Sequence, residues 1–290
     1  MKTPQFLAGV CLSLVATFGG TTRSDAILPM MEEDEWLGYF VGVEDNKWRF
    51  GMTSQGKITI FPIESGGKVS AHGTKFSVQA GVQEVMPNGS VVMKTTDPES
   101  LTSENEASLR FDTVTISGEA TGGVKFEMYI EQRSGFVMIG GKVTDPGELK
   151  NPRFAASVYL PKAYSRAKPP KSAEGDEREI KKWQKKQDRV LKKDKLSFKR
   201  RDGERGGFDF LEPVLLDSEE VNGKDGMSEI EVECEDYNGR DFVFNASPNS
   251  VMTLSNGKEA RSLANGVRIS WHQEADKDPE GKARFAIKGK

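Results

Sequence analysis

Apolar and polar residues alternate in many short runs along the chain from residue 36 onward. Between residues 125 and 131, Phe126, Met128 and Ile130 alternate with charged residues and a tyrosine. Alternation with a period of two predicts β-strands that have one buried and one solvent-facing side. The runs predict strands over residues 36–43, 47–53, 57–63, 74–85, 90–96, 107–117, 123–133, 135–144, 153–160, 207–215, 227–235, 241–247, 250–254, 266–272 and 282–288.

Glycine, asparagine, aspartate and proline separate these runs, as they do in the turns of antiparallel sheets. Many short strands joined by such turns predict an all-β fold, a large antiparallel β-sandwich. We expect residues 27–160 and 206–290 to form two parts of this sandwich around one core. Residues 161–205 are expected to form a basic linker and helix excursion between the two parts.

One surface helix is predicted within that excursion, around residues 176–193. Asp176 followed by Glu179 is typical of a helix N-terminus, where side-chain oxygens accept hydrogen bonds from free backbone amides. A narrow stripe at helical spacing follows, formed by Ile180, Trp183, Gln187, Val190 and Leu191. Because the other positions are rich in lysine, the helix should lie on the surface of the sandwich.

The Asn238-Gly239 pair predicts a hairpin between two late strands. A two-residue loop would place glutamates opposite phenylalanines, whereas a three-residue loop with a bulge at Gly239 pairs Cys234 with Phe242. The same loop pairs Val232 with Phe244 and keeps the apolar residues on one face. Since register follows the hydrophobic face, the three-residue loop is favoured.

Residues 1–26 have the parts of a cleavable secretory signal. Lys2 precedes an apolar run over residues 6–18, and the segment ends in Ser24-Asp25-Ala26. The run is shorter than the roughly 20 residues that span a bilayer, although an uncleaved N-terminal anchor is the alternative. We expect cleavage near Ala26 and a secreted or periplasmic protein that is not an integral membrane protein afterwards.

The cysteine content fits an exported protein that is stabilised by packing. Cys234 is the only cysteine after the predicted signal, so the mature chain has no internal disulfide. The alternation around Cys234 points its side chain toward the core. A buried, unreactive thiol is therefore expected rather than a nucleophile.

Charge is unevenly distributed along the chain, although the net charge is only −3. Residues 161–205 carry 17 Lys and Arg against 8 Asp and Glu, while both flanking parts are acidic. Export and the acidic flanks argue against nucleic acid as the partner. The basic helix could instead bind an anionic partner through Lys181, Lys185, Lys192 and Lys193, or it could simply expose its charges to solvent.

No motif in the sequence identifies a catalytic residue or a cofactor site. Three Ser-x-x-Lys matches lie between predicted strands rather than at a helix start, and each has a glycine before the lysine. Asp276, Asp278 and Glu280 resemble the start of a calcium loop, but position twelve is Ile287 instead of a carboxylate. They form a weak calcium candidate and no other metal site is expected, and no cofactor is expected either.

The two histidines, His72 and His272, do not have the spacing of a zinc site. His272 should face away from Val267, Ile269 and Trp271, on the outside of its strand. The many acidic residues would allow a glycosidase-type carboxylate pair, but the sequence does not select one.

Taken together, the sequence favours an exported, non-catalytic β-sandwich that has a binding or structural role at the cell envelope. A glycan or another envelope component is the expected partner. The alternative is a carbohydrate-active hydrolase that uses a pair of carboxylates in a cleft.

Overall fold

The protein was analysed as a computed structural model, which describes residues 28–63, 75–133, 135–160, 171–173, 175–234, 240–256, 263 and 266–290. The strands are β1 (Tyr39–Glu44), β2 (Trp48–Thr53), β3 (Ile58–Pro62), β4 (Phe76–Val85), β5 (Val91–Met93), β6 (Thr113–Ala120), β7 (Val124–Arg133), β8 (Phe136–Asp145), β9 (Pro152–Leu160), β10 (Lys195–Arg200), β11 (Arg205–Asp209), β12 (Met227–Cys234), β13 (Arg240–Ala246), β14 (Ser250–Asn256), β15 (Val267–Gln273) and β16 (Phe285–Gly289). The helices are α1 (Glu177–Leu191) and α2 (Glu219–Asn222), and single 3-10 turns span Asp34–Trp36, Pro98–Ser100 and Lys171–Ala173.

The strands form two eight-stranded sheets, which confirms the predicted all-β sandwich. Sheet 1 has the order β1-β2-β3-β4-β9-β15-β14, with β5 paired to β4. Sheet 2 has the order β11-β10-β12-β13-β16-β8-β7-β6. Each sheet contains strands from both ends of the chain, because β14 and β15 complete sheet 1 and β8 joins β16 in sheet 2.

Large aromatic side chains fill the space between the two sheets. The Phe76 ring of sheet 1 meets the Phe242 ring of sheet 2 edge-on, with centroids 4.9 Å apart. Trp271 of sheet 1 instead stacks on the Phe285 ring of sheet 2, with centroids 6.2 Å apart. Full burial of one such side chain stabilises the fold by about 1.5–3 kcal/mol. Apolar residues from both sheets belong to one hydrophobic cluster.

Long connections form hydrogen bonds with three of the edge strands, β1, β6 and β14. Between β5 and β6, the Ser108 amide donates to the Phe40 carbonyl at 3.0 Å and the Thr102 amide to the Ser117 carbonyl at 2.9 Å. On the opposite edge, the Asn222 side chain exchanges hydrogen bonds of 3.0 and 2.7 Å with the backbone of Leu254. Covered edges leave few unpaired backbone groups on which another chain could add a strand.

Helix α1 confirms the helix prediction within two residues at its C-terminal end. The Asp176 carboxylate accepts from the amides of Arg178 and Glu179, as the sequence predicted. The predicted stripe is half-buried and ends in the buried Leu191. The Phe210 amide donates to the Leu191 carbonyl at 3.1 Å, which ties the end of the helix to the residues after β11.

Strand β10 corrects the expectation that the excursion continues to residue 205. Leu196 and Phe198 of this strand are buried, and β10 pairs with both β11 and β12. Residues Lys195–Arg200 do show the alternation that predicts a strand. Their many basic residues, however, favour the interpretation of this segment as part of the charged linker. The basic residues flanking Leu196 and Phe198 occupy the outward side of the strand.

The register of the β12–β13 hairpin also differs from the prediction. Cys234 pairs with Arg240 and Val232 with Phe242, so the strands are shifted by two residues from the predicted pairing. A shift by two residues leaves every side chain on the same face of the sheet. The hydrophobic pattern therefore specified the face but could not choose between these two registers.

Several predictions concern residues outside the described ranges. The predicted signal at residues 1–26, His72 and Gly239 of the predicted hairpin loop fall there. The backbone of Cys234 belongs to β12, but its side chain is not described, so the predicted burial of the thiol stays a prediction. No helix in the described part of the chain is long and apolar enough to cross a membrane.

Candidate functional site

The outward side of strands β4, β9, β15 and β14 carries small, mostly uncharged polar side chains. Phe76, Val158 and Ile269 of these strands point into the core, so the residues that alternate with them point outward. We call these outward positions the polar face. Apart from glycine, alanine and valine, its residues are Ser77, Gln79, Gln83, Arg153, Ser157, Tyr159, Thr253, Ser255, Arg268, Ser270 and His272.

Strand register sets hydroxyl and amide groups side by side across the polar face. Ser157 pairs with Gln79 on one side and with Ser270 on the other, and Ser270 pairs with Thr253. Directly opposed residues have Cβ atoms about 4.5–5.5 Å apart. Each of these four side chains can both donate and accept hydrogen bonds, and each is partly or fully exposed.

The outward side of sheet 1 carries an aromatic side chain at its other end, on β1 and β2. A Cβ atom on Gly42 would lie 2.1 Å from the Trp36 ring, so glycine is needed for Trp36 to cover the outward side of β1. The Arg49 guanidinium lies 4.6 Å above the same ring. On the polar face itself, Tyr159 is 37% exposed and is the one aromatic residue. The central row of the polar face is thus free of bulky groups.

A pocket of about 340 Å³ opens at one end of the polar face, where β9 begins and β15 ends. Arg153 and His272 line it from the two strands, and the turn from Glu274 to Lys277 forms another wall. Arg153 pairs with Gln83 in the sheet, and its Nε donates to Gln83 Oε1 at 3.0 Å. This bond fixes the guanidinium at the pocket.

Burial changes the acid–base properties of both residues in the pocket. Desolvation lowers the pKa of Arg153 to about 10, which still leaves the group charged at neutral pH. Burial, with a smaller contribution from the Arg153 charge, lowers the pKa of His272 to about 3. His272 is therefore a neutral imidazole that offers one donor and one acceptor beside a permanent positive charge.

The outward side of sheet 2 is different, because charged residues dominate it. Lys290 Nζ lies 2.5 Å from a Glu231 carboxylate oxygen, and Arg284 Nε lies 2.5 Å from Glu131 Oε1. Burial, followed by the nearby Glu231 charge, raises the pKa of the Asp241 carboxyl. Asp241 and Glu231 lie on this open sheet, away from the Arg153 pocket.

The four lysines predicted to bind an anionic partner are exposed along and just after α1. Lys181 lies 4.0 Å from Glu177, whereas Lys185, Lys192 and Lys193 form no ion pair with any residue that the structure describes. Two other basic residues of the excursion have structural roles, since Arg200 pairs with Glu204 and Arg201 donates to backbone carbonyls after β13. Partner binding by the four lysines stays a prediction.

The calcium candidates lie in the turn between β15 and β16. Asp278 is buried, and its carboxylate accepts from the amides of Lys282 at 2.8 Å and Ala283 at 2.7 Å. Glu280 pairs with Lys282, and Asp276 is exposed. No group of three or more His, Cys, Asp or Glu side chains in the described chain is placed to hold a metal ion. Calcium binding by this turn stays a prediction.

Sequence reasoning placed His272 on the outside of its strand but did not recognise Arg153. The signal for Arg153 was its outward position in β9, one residue before the buried Phe154. Its lack of a carboxylate partner depends on strand order, which the sequence does not give. Of the Ser-x-x-Lys matches, Ser54–Lys57 lies in the turn between β2 and β3, as expected.

Comparison with known proteins does not assign the chain to a family. No protein-family model matches the chain, and no curated protein sequence matches it either. A solved structure of the α-N-acetylgalactosaminidase NagBb from Bifidobacterium bifidum in complex with GalNAc is similar, with a TM-score of 0.49 and 10% identity. The match covers 86% of this chain and 35% of that one, so this chain spans about a third of its length. Similarity at this level carries no argument about ligand or activity.

Proposed function

We propose that this protein is an exported, non-catalytic glycan-binding protein and that the polar face of sheet 1 is its binding surface. The observation that carries the proposal is the row formed by Gln79, Ser157, Ser270 and Thr253. Sugar hydroxyls both donate and accept hydrogen bonds, as do all four of these side chains. A surface of this kind can match a hydroxyl-rich ligand without the cost of burying charge.

Tyr159 and the shape of the face support the same ligand class. The exposed ring of Tyr159 lies two residues along β9 from Ser157, beside the row, and offers an apolar surface with a polar tip. The row runs across four paired strands, and strands in a sheet lie about 4.8 Å apart. An extended oligosaccharide could therefore contact several strands at once.

The position of the acidic residues supports binding over hydrolysis. None of the outward positions on β4, β9, β15 and β14 is an aspartate or glutamate. In the adjoining pocket, Glu274 accepts from Lys277 Nζ at 3.0 and 3.1 Å, and Asp276 is exposed. A glycosidase needs two carboxyl groups facing each other across the scissile bond. The hydrolase alternative consequently has less support from this face.

A polysaccharide array tests the proposed function. Protein spanning residues 27–290 should be retained by at least one neutral or acidic glycan and should release no reducing ends from it. Ser157→Arg places a long side chain in the middle of the row and should abolish retention. Release of reducing ends by the unmodified protein, at a rate above that of a heated sample, would support the hydrolase instead.

Thr115→Arg is the matched control for the array. Thr115 is exposed on the outward side of β6 in sheet 2, so this change adds the same side chain to the other face of the sandwich. Both variants should keep the melting temperature of the unmodified protein within a few degrees. Equal loss of retention in both would rule out the polar face as the binding surface.

The compartment is part of the proposal. Export rests on the apolar run at residues 6–18 and the Ser-Asp-Ala sequence that follows it. N-terminal sequencing of protein from its native host should begin at Ile27 or within a few residues of it. Recovery of the intact N-terminus in a membrane fraction would instead establish an uncleaved anchor.

A further inference from the structure

Arg153 has no carboxylate partner among the described residues, and unlike Arg201 and Arg240 it donates to no backbone carbonyl there either. Arg49 pairs with Glu35, Arg200 pairs with Asp202 and Arg284 pairs with Glu131. Within the part of the chain that the structure describes, Arg153 donates one hydrogen bond, to the neutral Gln83 side chain, and makes no ion pair. A guanidinium has five N–H donors, so most of those on Arg153 remain free to bind a ligand.

The surroundings of Arg153 leave its charge uncompensated. Lys277 and Glu274, on the opposite wall, neutralise each other. Asp276 also lines the pocket, but its side chain is exposed to solvent and forms no ion pair with Arg153. His272 is neutral, so it neither cancels nor adds to the positive charge. Burial of an uncompensated charge is costly, and an anion that enters the pocket would recover part of that cost.

The free donors favour a planar oxyanion. A guanidinium presents its N–H groups as a flat fork that matches the two oxygens of a carboxylate. The imidazole of His272 lies on the neighbouring strand and faces the same pocket, where it can donate a further hydrogen bond. With a volume of about 340 Å³, the pocket can hold one sugar residue but not a long oligosaccharide.

From this arrangement we infer that the pocket binds a carboxylate group, and that the carboxylate belongs to a uronic acid residue at the end of a glycan lying along the polar face. Arg153 binds the two carboxylate oxygens and His272 donates to one of them. The source of the carboxylate rests on the proposed glycan-binding function, whereas the anion subsite itself rests on Arg153 alone. A neutral sugar at the same position would leave the guanidinium unpaired.

Calorimetric titration with matched oligosaccharides tests this inference. The probes are short oligomers of galacturonate, mannuronate and glucuronate, each with its carboxyl-reduced counterpart, together with acetate. At least one acidic oligomer should bind, and reduction of its carboxyl groups should weaken binding by about tenfold or more. Arg153→Gln should cause a loss of similar size while leaving the melting temperature unchanged or higher.

Arg205→Gln is the matched control, because Arg205 is an exposed arginine on β11 of sheet 2, outside the polar face. It should keep nearly full affinity, whereas equal losses in both variants would mean a general charge effect and would overturn the subsite. Arg153→Lys keeps the charge without the planar fork and should give an intermediate loss. If Arg153→Gln fails to fold, the affinity of Arg153→Lys for the acidic oligomers tests the subsite in its place.

The remaining outcomes separate the subsite from the proposed function. Retention of neutral glycans with no preference for acidic ones would overturn the carboxylate subsite and leave glycan binding intact. Acetate binding that is lost in Arg153→Gln, with no binding of any oligosaccharide, would support the subsite and overturn its glycan source. No binding of either acetate or the acidic oligomers at millimolar concentration would overturn the inference.

Discussion

His272 and Arg153 face the same pocket from neighbouring strands, and the charge of Arg153 helps to keep the His272 imidazole neutral. Ala155 lies between them in the sheet, since it follows Arg153 in the outward series of β9 and pairs with His272. Arg153 and His272 belong to the polar face and also line the pocket at the end of that face. It also makes the stability of the protein depend on pH in a way that can be measured.

The first prediction concerns this pH dependence. The His272 pKa is about 3 in the folded protein and 6.5 in the reference state, so the unfolded chain binds the extra proton between these values. The free energy of unfolding should therefore fall as the pH drops from 6.5 toward 3. His272→Gln should remove that part of the slope, which amounts to roughly a few kcal/mol at the acidic end.

Urea unfolding at a series of pH values checks this prediction. Titration of the carboxyl groups contributes the same background to both proteins, so the difference between the two curves isolates His272. The curves should be separated by a nearly constant amount above pH 6.5 and should converge or cross below it. Parallel curves across the whole range would mean that His272 is protonated equally in the folded and unfolded states.

The second prediction concerns the packing of helix α1. Trp183 is half-buried on the stripe that ends at the buried Leu191. Trp183→Ala should destabilise the protein by about 1–3 kcal/mol, less than the loss of a fully buried tryptophan. Lys185 is exposed and lies two residues further along the helix, so Lys185→Ala is the control and should change the stability little. Equal melting temperatures for Trp183→Ala and the unmodified protein would mean that the helix does not pack on the sandwich.

The third prediction concerns the exposed lysines of the same helix. Replacement of Lys181, Lys185, Lys192 and Lys193 with glutamine should leave stability nearly unchanged, because exposed charges contribute under about 1 kcal/mol each. Retention on an anionic polysaccharide resin should decrease if these lysines make a second contact with the ligand. A fall in melting temperature as large as that of Trp183→Ala would instead show that the lysines hold the helix against the domain.

The alternation of apolar residues was sufficient to predict the sandwich and most strand limits. It also predicted which side of β15 carries His272, because outward and inward positions follow directly from a period of two. Strand β10 was missed since its flanking charges outweighed the alternation of Leu196 and Phe198. The hairpin register was wrong by two residues, a shift that leaves the hydrophobic face unchanged.

The candidate site could not be predicted from the sequence for a different reason. Ser157, Gln79 and Ser270 are far apart along the chain and meet because β9 lies between β4 and β15. Antiparallel sheets allow many strand orders that bury the same apolar residues, so the pattern does not choose among them. The missing partner of Arg153 becomes visible only once the neighbours of β9 are known.

The most direct test of the account is a map of where the ligand contacts the protein. A glycan retained on the array would be titrated into isotope-labelled protein while the backbone amide NMR signals are followed. A glycan bound on the polar face should change the signals of Ser157, Ser270 and His272, and should leave Val243 and Lys288 on the outward side of sheet 2 unchanged. Changes confined to β12, β13 and β16, or to helix α1, would contradict it.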